Sequence, residues 1–192
     1  MAAGSVARGD LPFTEKSFYL SEFRGRTLAI AARPGPLGAV DAIEPVLAEL
    51  AGNGTATVLL SSDPVGLAKL SGAEPVWADV PGLGGRTWRS LRPGLRAGIR
   101  IPEEGLFSAA HAVVGRLGIS KLVWLDGQGG LTRKDGSRLS FVDLDDFADL
   151  APDPGRWDLL EEIERALRAG LPAINLCTAE GLADELFTYA GS

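Results

Sequence analysis

The chain contains very little sulfur or histidine: among its 192 residues are one Cys, one His and one Met. A single Cys excludes an internal disulfide and fits a reducing compartment, so a cytoplasmic location is expected. One Cys and one His do not supply the ligand set of a structural zinc site, and no metal site is predicted. Cys177 and His111 are better explained as a small buried thiol and a surface or partly buried side chain.

The sequence also lacks a long hydrophobic run and an excess of positive charge. Its apolar stretches are shorter than the roughly 20 residues that cross a bilayer, and residues 1–10 are too polar for a secretory signal. No membrane association is therefore expected. The formal net charge of −6 argues against nucleic-acid binding, which requires a basic surface. A hydrophobic content of 45% with 23% charged residues is typical of one globular domain.

One local cluster of arginines departs from the acidic background. It comprises Arg86, Arg89, Arg92, Arg96 and Arg100. Two interpretations are open: a solvated basic face, or a site for an anion or an acidic partner.

The hydrophobic pattern predicts strands that alternate with helices. Strands are predicted over residues 27–32, 55–60, 75–78, 121–125 and 173–176, with a hairpin over 130–142. Helices are predicted over residues 40–50, 103–117, 143–150, 157–167 and 179–187, and another begins at Asp63-Pro64. For residues 81–102, which are rich in Gly, Pro and Arg, the pattern indicates either a loop excursion or short edge strands.

This alternation predicts an α/β fold, a mainly parallel sheet between two layers of helices. Ligands of such sheets bind beyond the carboxyl ends of the strands. The candidate loops are therefore residues 33–38, 61–64, 126–130 and 177–180. We expect a flexible N-terminal segment, residues 1–16, followed by a single domain, residues 17–192.

Three segments of the chain resemble segments of a known protein family and occur in the same order as in that family. They are Phe18-Tyr19-Leu20-Ser21-Glu22-Phe23, the stretch from Lys121 to Gly129-Gly130-Leu131, and the tail Glu185-Leu186-Phe187-Thr188. Together they resemble the amino-acid kinase family, in particular the kinase-like domains of N-acetylglutamate kinases and synthases. The Gly-Gly-Leu ending is closer to the synthase branch.

The resemblance implies a three-layer amino-acid kinase fold and a place in arginine biosynthesis. Kinases of the family transfer phosphate from ATP to N-acetylglutamate. Synthases join a similar domain, which often binds arginine as feedback inhibitor, to an acetyltransferase domain. The implied partners are arginine or an N-acetylglutamate-like molecule, an acetyltransferase domain in cis or in trans, and further copies of the chain. A last strand or the acetyltransferase domain is expected to follow the segment.

The chain departs from the family at both phosphate-binding turns. Arg33-Pro34-Gly35-Pro36, with Gly38 beyond it, replaces a Lys and a Gly-Gly turn, and its prolines remove N–H groups. Ser61-Ser62-Asp63-Pro64 replaces a His-Gly-Gly-Gly-Pro turn and adds a negative charge. Gly35, Gly38, Ser61, Ser62 and Asp63 are therefore predicted to form vestigial phosphate loops.

Loss of these turns predicts a pseudokinase that needs no cofactor and binds an amino acid. The alternative is a divergent active kinase that uses ATP and Mg²⁺, with Arg33 and Arg156 in place of catalytic lysines.

Several charged residues are candidates for ligand binding. They are Arg86, within a partial match to the family's carboxylate-binding segment, Glu104, Asp126, and the acidic residues around the last helix, Glu180, Asp184 and Glu185. Structural alternatives are open: Arg86 as a surface side chain, and Glu103 and Glu104 as favourable charges at a helix start.

Overall fold

The computed structural model of the chain describes residues 14–151, 155–171 and 174–188. Its helices are α1 (Glu15–Phe23), α2 (Pro34–Leu37), α3 (Val40–Gly52), α4 (Pro64–Ser71), α5 (Leu83–Ser90), α6 (Leu106–Leu117), α7 (Trp157–Arg168) and α8 (Leu182–Phe187). A 3-10 helix spans Asp145–Asp149. Most of the predicted N-terminal segment, residues 1–13, lies outside the described residues, and α1 begins at Glu15.

Seven strands form one sheet, and two more form a separate hairpin. The strands are β1 (Thr27–Ala32), β2 (Ala56–Ser61), β3 (Val76–Trp77), β4 (Arg96–Arg100), β5 (Leu122–Leu125), β6 (Leu131–Thr132), β7 (Arg138–Leu139), β8 (Phe141–Val142) and β9 (Ile174–Cys177). The main sheet has the order β3-β4-β2-β1-β5-β9-β8, and β6 pairs with β7. All neighbours in the main sheet are parallel except β8, which is antiparallel to β9. The predicted α/β fold is confirmed.

The sheet is covered on both faces because alternate strand residues belong to different cores. Leu28 and Ile30 of β1 pack beneath α3, α4 and α8, whereas Ala29 and Ala31 face the core that contains α5, α6 and α7. Strands β1, β2 and β5 are buried almost throughout, which explains their continuous apolar sequences. Among the described residues, no helix is both long and apolar enough to cross a bilayer.

The largest correction concerns residues 81–102. They form the helix α5 and then β4, which lies inside the sheet between β3 and β2. A second correction concerns α6, which begins at Leu106 after a left-handed Gly105. Glu103 and Glu104 therefore precede the helix and are not in its first turn.

Candidate functional site

The predicted site loops lie along one edge of the sheet. Ser61 is the register partner of Arg100, and Ala32 is the partner of Leu125. The segments that follow these residues therefore emerge side by side at the carboxyl ends of the strands. Leu125 in turn pairs with Cys177, which brings the loop after β9 to the same edge.

At this edge, neighbouring strands send their connections to opposite faces of the sheet. The connection after β2 enters α4 on one face, whereas that after β4 enters α6 on the other. The connections after β1 and β5 diverge in the same way, toward α3 and α7. Ligands of parallel α/β sheets bind at such points. The topology therefore predicts one crevice near Ser61 and Arg100 and another near Arg33 and Asp126.

The loop after β1 is a short helix. Arg33 is exposed at the N-cap position of α2, and the amide of Gly38 donates to the carbonyls of Pro34 and Gly35, both at 3.0 Å. Gly38 has a φ of −66°, so it does not adopt the left-handed conformation that only glycine takes readily. Gly35 and Gly38 serve a local helical turn, which leaves Arg33 as the ligand candidate of this loop.

The turn after β2 is organised by Asp63. Its Oδ1 accepts from the Val65 amide at 2.9 Å, and its own amide donates to Ser61 Oγ at 3.3 Å. The prediction that Asp63 caps the helix beginning at Pro64 is confirmed. Ser62 Oγ is a buried polar atom for which the described residues offer no hydrogen-bond partner.

At the end of β4, the guanidinium of Arg100 lies over an aromatic ring. Arg100 Cζ is 4.2 Å from the centroid of Trp77, a cation–π contact between neighbouring strands. Trp77 is 45% exposed, and Arg100 Nε is buried without a hydrogen-bond partner within the described ranges. A positive charge and a partly exposed aromatic ring thus lie at the ends of β4 and β3, next in the sheet to the end of β2 that precedes Ser62.

Asp126 and Arg156 form a buried ion pair in the second crevice. Arg156 Nη2 is 3.2 Å from Asp126 Oδ1, and the two side chains are only 4% and 15% exposed, Arg156 being the lower. The same guanidinium donates to the carbonyls of Gly129 and Gly130 at 2.8 and 2.9 Å. Arg156 therefore holds the turn after β5, and a role as catalytic cation does not fit its burial.

Steric constraints explain why the turn after β5 contains two glycines, Gly129 and Gly130. Gly129 has a φ of 71°, in the left-handed region. A Cβ on Gly130 would overlap the carbonyl of Leu139 in the hairpin. The glycines that carry part of the family resemblance thus let β7 and Arg156 approach the backbone closely.

The remaining candidates are separated. Glu104 and Glu180 are exposed in the loops after β4 and β9, at the carboxyl edge. Arg86 lies on α5 and lines a different cavity beside the amino-terminal half of β4, together with Arg96 and Gly98. The structure thus brings Arg33, Asp126, Glu104 and Glu180 to one edge and places Arg86 elsewhere.

Glu185, one of the predicted ligand-binding residues, is buried in the fold. Its carboxylate accepts from Asn175 Nδ2, and Ser140 provides a further hydrogen bond. Burial raises the pKa of Glu185 above its ordinary value, although these hydrogen bonds and the charge of Lys121 partly offset the rise. Asp184, next to it, is exposed. Sequence reasoning missed the burial because the partners lie on other elements.

Two more ionisable groups belong to the surroundings of Glu185. Burial lowers the pKa of Lys121, and the charge of Glu185 opposes this shift. Burial, assisted by the charge of Glu185, raises the pKa of Cys177 to about 12. The Cys177 side chain is therefore a protonated, unreactive thiol at neutral pH, as the sequence interpretation had it.

The arginine cluster does not form one surface. Arg86, Arg89 and Arg92 are exposed, whereas Arg96 bonds to Glu44 and to the Leu70 carbonyl, at 2.7 and 2.9 Å. Arg100 instead reaches the carboxyl edge. The part of the chain that the structure describes contains no group of His, Cys, Asp and Glu arranged to hold a metal ion.

Trp77 was not among the predicted site residues, and Arg100 was counted only within the arginine cluster. A signal was present: Trp77 lies within the predicted strand 75–78, and Arg100 ends the stretch 95–100 of alternating character. The pairing of β3 with β4 was needed to bring them together.

The architecture matches those of several solved structures, two of which are of one enzyme, although neither a family model nor a curated protein matches the sequence. One is N-acetylglutamate synthase from Neisseria gonorrhoeae complexed with coenzyme A and N-acetyl-glutamate, with a TM-score of 0.64 and 17% identity. The fold of the present chain is therefore similar to part of the fold of N-acetylglutamate synthase. The same enzyme complexed with coenzyme A and L-arginine gives a TM-score of 0.61, also at 17% identity.

The extent of the match limits what it shows. It covers 91% of this chain but only 60% and 62% of the two N-acetylglutamate synthase chains. The chain thus spans about 60% of the length of its structural neighbours. At 17% identity, the likeness to N-acetylglutamate synthase shows the fold alone.

Proposed function

We propose that this chain is a kinase-like domain of an N-acetylglutamate synthase or kinase-type protein. It binds an amino acid such as arginine, or an N-acetylglutamate-like molecule, and regulates or scaffolds an N-acetyltransferase in cis or in trans. Support comes from the shared fold and from the ligands of the two similar structures, N-acetyl-glutamate and L-arginine.

The position of Asp63 is the main observation against phosphate transfer by this chain. Its carboxylate is fixed by the Val65 amide in the turn that corresponds to the family's phosphate-binding glycines. Two unit charges about 4 Å apart repel by roughly 4 kcal/mol near a protein surface. Asp63 thus opposes a triphosphate at this turn.

The other two family positions support the same conclusion. The prolines of α2 leave few amides after β1 to bind phosphate, and the amide of Gly38 already donates to Pro34 and Gly35. Arg156 is engaged by Asp126 and by two carbonyls. The cations and amides that would neutralise a transferred phosphoryl group are committed to the fold.

An amino acid, by contrast, matches the mixed charge of the carboxyl edge. Arg100, stacked on Trp77, and the exposed Arg33 offer positive charge to a carboxylate. Glu104 and Glu180 offer negative charge to an amino or guanidinium group. The unpartnered Ser62 Oγ and Arg100 Nε supply hydrogen-bond donors beside the first crevice.

Titration calorimetry of the chain with L-arginine and with N-acetyl-L-glutamate tests this function. We expect binding of at least one of them, and Arg100→Ala should weaken carboxylate binding about tenfold or more, because a charge-assisted hydrogen bond and the ring contact are lost. Arg89→Ala, which removes an exposed arginine of α5, is the matched control. Absence of heat and of a thermal shift with both ligands would refute the proposal.

The alternative is a divergent kinase that requires ATP and Mg²⁺. The exposure of Arg33 beside the β1–β5 crevice favours it. A coupled assay of ADP release with N-acetyl-L-glutamate separates the two functions. Turnover that is abolished in Arg33→Ala would establish the kinase and overturn our proposal.

A further inference from the structure

A groove lies between α7 and the 3-10 helix, outside the loops of the carboxyl edge. Its volume is about 340 Å³, enough for a small organic molecule. Apolar side chains (Phe147, Leu150 and Leu160) and a polar rim (Trp157, Glu161 and Glu164) line it.

The spacing of residues on α7 produces this arrangement. Trp157, Leu160, Glu161 and Glu164 stand at positions i, i+3, i+4 and i+7, so they share one face of the helix. Leu160 is 7% exposed and contributes apolar surface, whereas Trp157 is 55% exposed. An indole ring and two carboxylates thus border the same apolar groove.

The charge of the groove is negative. No Lys or Arg is among its lining residues, and Glu161 forms no hydrogen bond or ion pair within the described ranges. Glu164 Oε1 accepts from Arg168 at 3.0 and 2.7 Å, which neutralises part of its charge. The positive end of the helix dipole is equivalent to only about half a charge, so the carboxylates dominate.

We propose that this groove binds a small organic cation, a guanidinium or primary ammonium group carried on an alkyl chain. The alkyl chain packs on Phe147 and Leu150, the cation lies against the face of Trp157, and Glu161 provides the opposing charge. The proposal goes beyond the amino-acid site of the carboxyl edge, because it requires no carboxylate on the ligand and uses none of the strand-end loops.

Calorimetry with agmatine, which has a guanidinium and an amine but no carboxylate, tests the site in the full chain. We expect agmatine to bind and N-butylurea, an uncharged alkyl urea without a carboxylate or an amine, not to bind. Trp157→Leu and Glu161→Gln should each weaken agmatine binding about tenfold, through loss of the cation–π contact and of the charge. Circular dichroism verifies that both variants are folded.

Matched controls separate this site from general electrostatics and from the carboxyl edge. Trp88→Leu removes a tryptophan of similar exposure on α5, and Glu162→Gln removes a neighbouring carboxylate on α7 that does not line the groove. Arg100→Ala alters the carboxyl edge. All three should bind agmatine as the unmodified chain does.

Equal agmatine affinities in Glu161→Gln and Glu162→Gln, or no binding by the unmodified chain, would overturn the inference while leaving the amino-acid site untouched. Conversely, L-arginine binding that is lost only in carboxyl-edge variants would support the proposed function and assign no role to the groove. Binding of agmatine with no binding of N-acetyl-L-glutamate or L-arginine at the edge would support the groove alone.

Discussion

Arg156 Nη2 lies 3.2 Å from Asp126 Oδ1, and this ion pair joins the beginning of α7 to the turn after β5. The pair is almost completely buried, and Arg156 also supports the carbonyls of Gly129 and Gly130. Arg156, which the family resemblance suggested as the replacement of a catalytic lysine, therefore stabilises the turn after β5.

Arg156→Met should destabilise the chain by about 3 kcal/mol, because Asp126 keeps a largely buried charge without its partner. Urea unfolding measures this loss. Arg26→Met, which removes an exposed ion pair with Glu22 at 3.7 Å, should cost less than about 1 kcal/mol. Similar losses in the two variants would contradict the structural role of Arg156.

Asp63→Ala should cost about 1 kcal/mol in the free energy of unfolding, because the Val65 amide loses its acceptor. Asp63→Asn retains a capping oxygen and should unfold close to the unmodified chain. Denaturant titration compares the three proteins. If removal of the charge in Asp63→Asn also produced ATP binding, Asp63 would be shown to exclude the nucleotide.

Because of Glu185, the free energy of unfolding should decrease as the pH rises. Its pKa in the folded chain is raised, so the native state retains a proton that the unfolded chain releases near pH 4.3. Stability is thus lost as the pH rises from there through the folded pKa. Glu185→Gln removes this dependence, so it should gain stability relative to the unmodified chain as the pH rises above about 4.3, the ordinary pKa of a Glu carboxyl.

Unfolding curves at several pH values measure that difference. Glu180→Gln, which changes an exposed carboxyl near the start of the same helix, is the control and should leave the pH dependence unchanged. Parallel pH profiles for Glu185→Gln and the unmodified chain would contradict the assigned pKa direction.

Cys177 should resist thiol reagents in the native state at pH 8, since the pKa of its buried thiol is raised to about 12. The thiol should react fully after unfolding in urea. Absorbance of a released chromophore measures both rates, and Cys177→Ala provides the blank. Rapid modification of the folded chain would show that the thiol is accessible.

The sequence was most informative where local pattern and environment agree. Strands β1 and β5 are continuous apolar runs because both faces of the sheet are covered, and α4 begins with its own cap at Asp63. These elements appear within one residue of their predicted positions.

Prediction failed where distant residues satisfy polar groups. β4 contains Arg96 and Arg100 inside the sheet, and their partners Glu44 and Trp77 are remote in sequence or lie on another strand. α5 contains Gly84 and Gly85, which are weak helix formers. The burial of Glu185 likewise depends on Asn175, so the composition of the last helix alone did not reveal it.

The order of strands in the sheet has a consequence for biosynthesis. Strand β1 lies near the middle of the main sheet. Once the chain has been synthesised through Arg100, the strands β3, β4, β2 and β1 can pair. The other side of β1 stays open until β5 is made, because Ala29 pairs there with Leu122. An emerging chain therefore presents an open, apolar edge at what becomes the centre of the domain. Such an edge attracts other unfinished strands, so slow translation between α5 and β5 would favour aggregation or chaperone capture of the nascent chain.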